Sequence, residues 1–264
     1  MTPTIQPHAG PHRTLEAPVT PGASRGRMLQ HPVPPGQGEY EWIYLWQLPL
    51  RLMHWAAAIS IVVLVVTGFW IGRPYFMGSA QSTSSFGTQY MRLGHFLAGM
   101  LLTVTGIVRI YWLVAGNRFE RFPALFPVRP RDLKNLVKQA RFYMFMPPKN
   151  MPEYIGHNPM AQVSYTTVYL AAALMVLTGF ALYTTTHPNG WMYGVFYPIT
   201  SLLGGLQNVR LVHHVATWFF LIFTPAHIYL AMRADVIERG GGISQIISGG
   251  KFVPIHEDFE DAEG

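Results

Sequence analysis

Four histidines carry the clearest chemical signal in the sequence, because they lie inside apolar segments. His54 and His95 stand near the starts of the first and second segments, and His213 and His227 are 14 residues apart in the last. In an α-helix, 14 residues cover ~21 Å and end only ~40° short of four full turns. His213 and His227 are therefore predicted to share one helix face at two different depths.

These depths sort the histidines into two levels. If the segments cross a membrane in alternating directions, His95 meets His213 near one surface and His54 meets His227 near the other. Two opposed imidazoles are the ligand set of a bis-histidine b-type haem, so the pattern predicts two haems b. A single buried histidine is as often a hydrogen-bonded core or proton-path residue, but two pairs matched in depth favour ligation. His214 lies ~140° around the helix from His227, so His213 is the predicted ligand.

Four arginines accompany these histidines. Arg51, Arg92 and Arg210 each precede a proposed ligand by three residues, and Arg109 follows His95 by 14. A guanidinium at such a position can bind a haem propionate through charge-assisted hydrogen bonds. The alternative for the flanking arginines is that they extend to lipid headgroups. Arg109 would lie deep in the membrane, where a charge requires a partner.

The composition places these residues in a membrane protein. Of the 264 residues, 50% are hydrophobic and 12% are charged. No acidic residue occurs between Glu41 and Glu120 or between Glu153 and Asp235, which excludes ordinary water-soluble domains for both blocks. The predicted fold class is an all-α membrane protein, a four-transmembrane-helix bundle that binds two haems b. Its spans are predicted at about 50–72, 89–115, 162–186 and 209–232.

Basic residues predict the topology. Fifteen lysines and arginines fall on one side of the spans and three on the other, which places both termini in the cytoplasm. The net charge of +6 therefore indicates membrane topology and not nucleic-acid binding. Residues 1–40 are predicted to be a disordered Pro/Gly-rich cytoplasmic tail, 41–240 the membrane domain with a basic cytoplasmic loop at 116–161, and 241–264 a cytoplasmic C-terminal tail. An amphipathic stretch at about 131–146 is expected on the membrane surface.

The sequence contains no cysteine. This excludes a disulfide, a thiolate-held iron–sulfur cluster, a thiolate zinc site and a covalently attached c-type haem within these residues. The third span contains no buried histidine and is predicted to be a packing helix. Its Leu177-Thr178-Gly179-Phe180 repeats the pattern of Val66-Thr67-Gly68-Phe69 in the first span, which hints at internal duplication.

Residues 40–250 resemble the b-type cytochrome subunit of membrane-bound nickel–iron hydrogenases, within the wider bacterial cytochrome b561-like group. The segments that carry the resemblance are Arg51-Leu52-Met53-His54-Trp55, Thr67-Gly68-Phe69, Arg92-Leu93-Gly94-His95-Phe96, Arg109-Ile110-Tyr111-Trp112, Gly116-Asn117-Arg118, Gly156-His157-Asn158-Pro159, His213-His214, Trp218 and His227-Ile228-Tyr229. The resemblance implies that His54, His95, His213 and His227 are the haem ligands.

The resemblance also implies a function in the bacterial inner membrane. Electrons from hydrogen oxidation by a periplasmic nickel–iron hydrogenase, with its small and large subunits, would pass to the outer haem, the inner haem and then a quinone. This chain would be an electron-transfer subunit and anchor without a hydrogen-activating site, and the complex is expected to form homo-oligomers. His157 and Asn158 are candidates to bind a quinone carbonyl, with capping of the third span or propionate binding as the alternative.

Two other interpretations remain open from the sequence. A sister cytochrome b subunit would serve another oxidoreductase, such as formate dehydrogenase or thiosulfate reductase, or act alone on quinones. From a different class, the buried histidines and Arg109 would line a proton or metal-ion path in a transporter.

Overall fold

The computed structural model describes residues 40–72, 86–143, 154–238, 243–254 and 259. The predicted N-terminal tail lies outside these residues except for Tyr40. The elements, in chain order, are β1 Tyr40–Tyr44, α1 Leu48–Gly72, α2 Phe86–Ala115, α3 Phe122–Leu125, α4 Pro130–Tyr143, α5 Pro159–Thr184, α6 Trp191–Leu202, α7 Leu206–Glu238, α8 Gln245–Ser248 and β2 Gly250–Pro254.

Among the described residues, four helices are long and apolar enough to cross a membrane: α1, α2, α5 and α7. They confirm the four spans predicted from the apolar runs, and the fourth extends beyond the predicted range at both ends. Many of their apolar side chains face outward, for example Val66 and Ile110, which are 60% and 68% exposed. Lipid tails would cover such a surface, so the chain is a multi-pass membrane protein.

The four spans form two closely packed pairs. α1 packs along α2, and α5 packs along α7, whereas contacts between the two pairs are sparse. The space between the pairs is called the interpair cleft below. It is bordered by the helices that carry His54, His95, His213 and His227.

One end of the bundle carries a small folded cap that the sequence patterns did not predict. β1 pairs with β2 in an antiparallel register from Tyr40 opposite Pro254 to Tyr44 opposite Gly250. Beneath this sheet lies a buried core of Leu45, Trp46, Phe119, Ile155 and Val253. We call this region the end cap, and the two ends of the bundle the capped end and the far end.

Two side chains connect the end cap to the spans. Glu120 is fully buried, and its carboxylate accepts hydrogen bonds from the backbone N–H of Gln47 at 2.6 Å and from Nε1 of Trp112 at 2.7 Å. Asn117 donates to the carbonyl of Leu45 at 2.6 Å. These bonds join the start of α1 to the end of α2, because buried polar groups must find such partners.

Helix α4 confirms the amphipathic helix predicted in the basic loop, within the described range that ends at Tyr143. Its polar side chains Asp132, Asn135 and Gln139 are buried against the protein, while Leu133 and Val137 are more than half exposed. The orientation is the reverse of that in a soluble helix, and it suits a helix whose apolar face meets lipid.

The turn before β2 generates a stability prediction. Gly249 has φ +96°, and an added Cβ would stand 2.5 Å from Cε2 of Tyr44 and 2.8 Å from the carbonyl oxygen of Trp46. Gly249→Ala should therefore lower the free energy of unfolding by at least about 1–2 kcal/mol, the usual strain of a left-handed non-glycine residue. Thermal unfolding of the detergent-solubilised protein measures this. Gly194→Ala on α6, where the added Cβ meets nothing within 4 Å, is the control and should not lower the midpoint. Equal midpoints for the two variants would contradict the prediction.

Candidate functional site

At the far end, the interpair cleft brings one histidine from α2 opposite one from α7. The ring centroids of His95 and His213 are 6.4 Å apart, with 64° between the ring planes. His214 is directed elsewhere, since its ring makes an edge contact with Phe69 at 5.7 Å. Of the two adjacent histidines, His213 is thus the one that faces His95.

Toward the capped end, the cleft contains a second opposed pair. The ring centroids of His54 on α1 and His227 on α7 are also 6.4 Å apart, with an interplanar angle of 51°. His227 stacks on Phe223 at 5.5 Å, and His54 makes an edge contact with Trp55 at 5.3 Å. The four predicted histidines therefore form two pairs at two depths.

The separation within each pair suits one metal ion between two imidazoles. An imidazole nitrogen lies ~1.1 Å from its ring centroid and a metal–imidazole bond is ~2.0 Å long, so two rings that share a metal ion have centroids ~6.2 Å apart. Both pairs match this value within a few tenths of an ångström. Across the described residues, no three or more histidine or acidic side chains converge as in a protein-only metal site. Haem, whose porphyrin supplies four nitrogens of its own, would complete a ligand set of this kind.

Both far-end histidines are held by threonines that sequence reasoning had not assigned a role. Nδ1 of His95 lies 2.9 Å from Oγ1 of Thr67 on α1, and Nδ1 of His213 lies 2.8 Å from Oγ1 of Thr178 on α5. The repeated Thr-Gly-Phe pattern was the available sequence signal. The sequence alone does not show the role of these threonines, because that role depends on helix pairing, which brings each threonine beside a histidine of the neighbouring helix.

The four predicted arginines fall into two groups. Arg92 and Arg210 are exposed at the far end. At the capped end, Arg51 donates to the carbonyl of Ile247, and its Nε is buried without a partner among the described residues. Arg109 donates to the Tyr169 hydroxyl at 3.0 Å and to the Glu120 carbonyl at 3.1 Å, while its Nη1 is likewise buried and unpaired within the described residues. Both capped-end arginines thus retain one N–H group for a further acceptor.

The loop before α5 holds His157 and Asn158 in separate roles. Oδ1 of Asn158 accepts a hydrogen bond from the backbone N–H of Ala161 at 2.9 Å, which caps the helix. The ring of His157 packs against Trp46 at 4.6 Å, and its Nε2 shares a hydrogen bond with the Tyr165 hydroxyl at 3.1 Å. Burial and, to a smaller extent, the positive charges of Arg109 and Lys251 lower the pKa of His157 to about 3, against a hydrogen bond with the Phe119 backbone that raises it. His157 is therefore neutral in the folded protein at physiological pH.

Comparisons with known proteins cover almost the whole described region. The sequence pattern of the family described as "Prokaryotic cytochrome b561" matches residues 45–249. A protein of Azotobacter vinelandii named "Probable Ni/Fe-hydrogenase B-type cytochrome subunit" is 37% identical over 210 residues, which are 78% of this chain and 87% of that protein. A protein of the same name from Cupriavidus necator is 35% identical over 78% of this chain and 85% of its own length. The Escherichia coli protein "Probable Ni/Fe-hydrogenase 1 B-type cytochrome subunit" is 33% identical over 78% of this chain and 89% of its length.

His157 generates a prediction about pH. Its pKa is about 3 in the folded chain against 6.5 in the unfolded chain, so only the unfolded chain takes up a proton between these values. The free energy of unfolding should therefore fall as the pH drops from 6.5 toward 3, by at most about 1.4 kcal/mol per pH unit. His157→Gln removes this contribution but keeps a hydrogen-bonding side chain. Lowering the pH from 7 to 5 should therefore lower the unfolding midpoint of the wild type more than that of His157→Gln. An unchanged difference would show that His157 does not carry the effect.

Proposed function

The chain belongs to the prokaryotic cytochrome b561 family, and we propose that it is the membrane-anchoring dihaem b-type cytochrome of a nickel–iron hydrogenase complex. In this proposal it carries electrons from hydrogen oxidation on the periplasmic side to the quinone pool of the bacterial inner membrane. The names of the relatives support the hydrogenase partner. The absence of cysteine from the sequence assigns nickel and iron–sulfur chemistry to the partner's small and large subunits.

The observation that carries the proposal is the repeated 6.4 Å separation between opposed imidazoles. His95 and His213 hold the far-end haem, and His54 and His227 hold the capped-end haem. When bound, haem b supplies an iron that accepts and releases one electron at a time. Since His213 and His227 stand 14 residues apart on α7, the two sites are ~21 Å apart along the helix axis.

Charge distribution supports the direction in which the chain is inserted. The capped end carries the basic loop residues and both ends of the described chain, so the positive-inside rule puts it in the cytoplasm. The far end, with α6, then faces the periplasm and the hydrogenase. This orientation places the site of electron arrival at the level of His95 and His213, and electron departure at the level of His54 and His227.

The arginines and the α5 loop complete the proposed site. Arg92 and Arg210 bind propionates of the far-end haem from the surface, and Arg51 and Arg109 direct their unpaired N–H groups to propionates at the capped end. For the quinone, His157 is the stronger of the two candidates, because the amide oxygen of Asn158 already caps α5. We assign the His157 ring, which lies beside the Tyr165 hydroxyl, to a quinone carbonyl.

The first test removes one ligand at a time. His54→Ala or His227→Ala should lose about half of the haem, whereas His95→Ala or His213→Ala should lose the other half. The control is His214→Ala, which removes the neighbouring histidine that contacts Phe69 and should keep both haems. Haem content per chain, from pyridine haemochrome spectra of the purified complex, is the measurement. Full haem content in a ligand variant, or haem loss in the control, contradicts the pairing.

The second test identifies the electron donor. Hydrogen added to membranes that contain the complex should reduce both haems in the wild type, giving reduced b-type bands. In His54→Ala, hydrogen should still reduce the far-end haem but no longer reduce added quinone, because the path to the capped end is interrupted. If formate or thiosulfate changes the redox state of the haems and hydrogen does not, the chain serves a sister oxidoreductase. A purified protein without b-type bands would instead favour a histidine-lined ion path.

A further inference from the structure

We propose that two Thr-Gly pairs, Thr67-Gly68 on α1 and Thr178-Gly179 on α5, are seats that orient the far-end imidazoles and lower the midpoint potential of the haem between them. The proposal rests on the haem ligation proposed above for His95 and His213. It gives these residues a positioning role, since they act on the iron through its ligands.

The hydrogen bonds fix which ring nitrogen carries the proton. Oγ1 of Thr67 lies 2.6 Å from the carbonyl oxygen of Val63, and Oγ1 of Thr178 lies 2.6 Å from that of Leu174. A carbonyl oxygen can only accept, so each threonine must direct its single hydroxyl proton to that carbonyl. The threonine oxygen then has only lone pairs left for the histidine, which must donate from Nδ1–H. Nε2 of each ring is thereby left unprotonated and available as the ligand atom.

The glycines allow each ring to lie against the helix that holds it. A Cβ at Gly68 would stand 3.3 Å from Cε1 of His95, and one at Gly179 would stand 3.4 Å from Cε1 of His213. Cε1 is the ring atom between the two nitrogens, so the glycine contacts the same ring edge that donates to the threonine. At Gly68 a methyl group would push the His95 ring by a few tenths of an ångström, whereas at Gly179 it would just reach van der Waals contact with His213.

The two seats are equivalent in the two helix pairs. In the first pair, α1 supplies the seat and α2 the histidine. In the second pair, α5 supplies the seat and α7 the histidine. The arrangement explains why α5, which contributes no ligand, has a buried polar residue at Thr178 with no exposed surface.

At the capped end, His54 has no threonine hydrogen bond of this kind among the described residues. Nδ1 of His54 is buried, and no described residue hydrogen-bonds to it. A hydrogen bond from the far nitrogen of a ligating histidine increases the electron donation of the ligand and favours the more positive metal ion. The two threonine bonds therefore lower the potential of the far-end haem, which favours electron transfer from the far end to the capped end.

The test is a redox titration of the purified complex, followed by the visible b-type bands. Thr67→Val and Thr178→Val keep the size of the side chain and remove the acceptor oxygen. Each should shift the far-end midpoint potential upward and leave the capped-end value in place, and the double variant should shift it further. Repeating the titration in His54→Ala, which is expected to keep only the far-end haem, assigns the two potentials.

Matched variants separate the hydrogen bond from general disturbance of the helix. Thr67→Ser and Thr178→Ser retain the hydroxyl and should keep the wild-type potential. Thr105→Val on α2 removes a buried threonine that makes the same bond to the carbonyl four residues earlier, at 2.8 Å to Leu101, and should shift neither potential. Gly68→Ala keeps the hydrogen-bonding groups and should change the electron paramagnetic resonance signal, which reports the angle between the ligand planes.

Retained haem with an unchanged far-end potential in both valine variants overturns the proposal, as does an equal shift in Thr105→Val. If the valine variants bind haem about tenfold more weakly or lose it, the serine variants provide the test. Wild-type haem content and potential in the serine variants support the proposal, and loss of haem in the serine variants overturns it. A wild-type protein without haem would instead refute the proposed function itself.

Discussion

The separation between opposed imidazoles constrains the whole membrane domain. A metal ion between two rings tolerates only a narrow range of distances, and both histidine pairs meet it at 6.4 Å. The rings come from different helix pairs at both levels, so the proposed ligation requires a nearly constant gap between α1 with α2 and α5 with α7. Close packing within each pair and sparse contact between pairs satisfy this requirement.

The end cap joins the two helix pairs at one end of the bundle. Glu120 and Asn117 tie the start of α1 to the end of α2, and the loop before α5 packs its His157 ring on Trp46. Two of the segments that carry the resemblance, Gly116-Asn117-Arg118 and Gly156-His157-Asn158-Pro159, therefore meet in the end cap. Their local roles are a turn without room for a side chain at Gly116 and a capped helix start at Asn158.

Helical periodicity and apolar composition were sufficient to predict the spans and the depth of the histidines, because both depend on local geometry. The end cap was not predictable in this way. Its strands pair Tyr40–Tyr44 with Gly250–Pro254 across most of the chain, and neither segment carries a strong strand pattern. Arg109 was predicted to need a partner, but Tyr169 as that partner required knowledge of how α2 lies against α5. Thr67 posed the same difficulty, since a threonine in an apolar helix usually bonds its own backbone.

The pairing of β1 with β2 also constrains the order of biogenesis. Residues 40–44 leave the ribosome first among the described segments, and their partner at 250–254 leaves last. While the spans are inserted, β1 has no partner strand, and the β1–β2 pairing that joins the two sides of the interpair cleft is missing. The two strands that join the ends of the described chain therefore pair only after the last span has been synthesised.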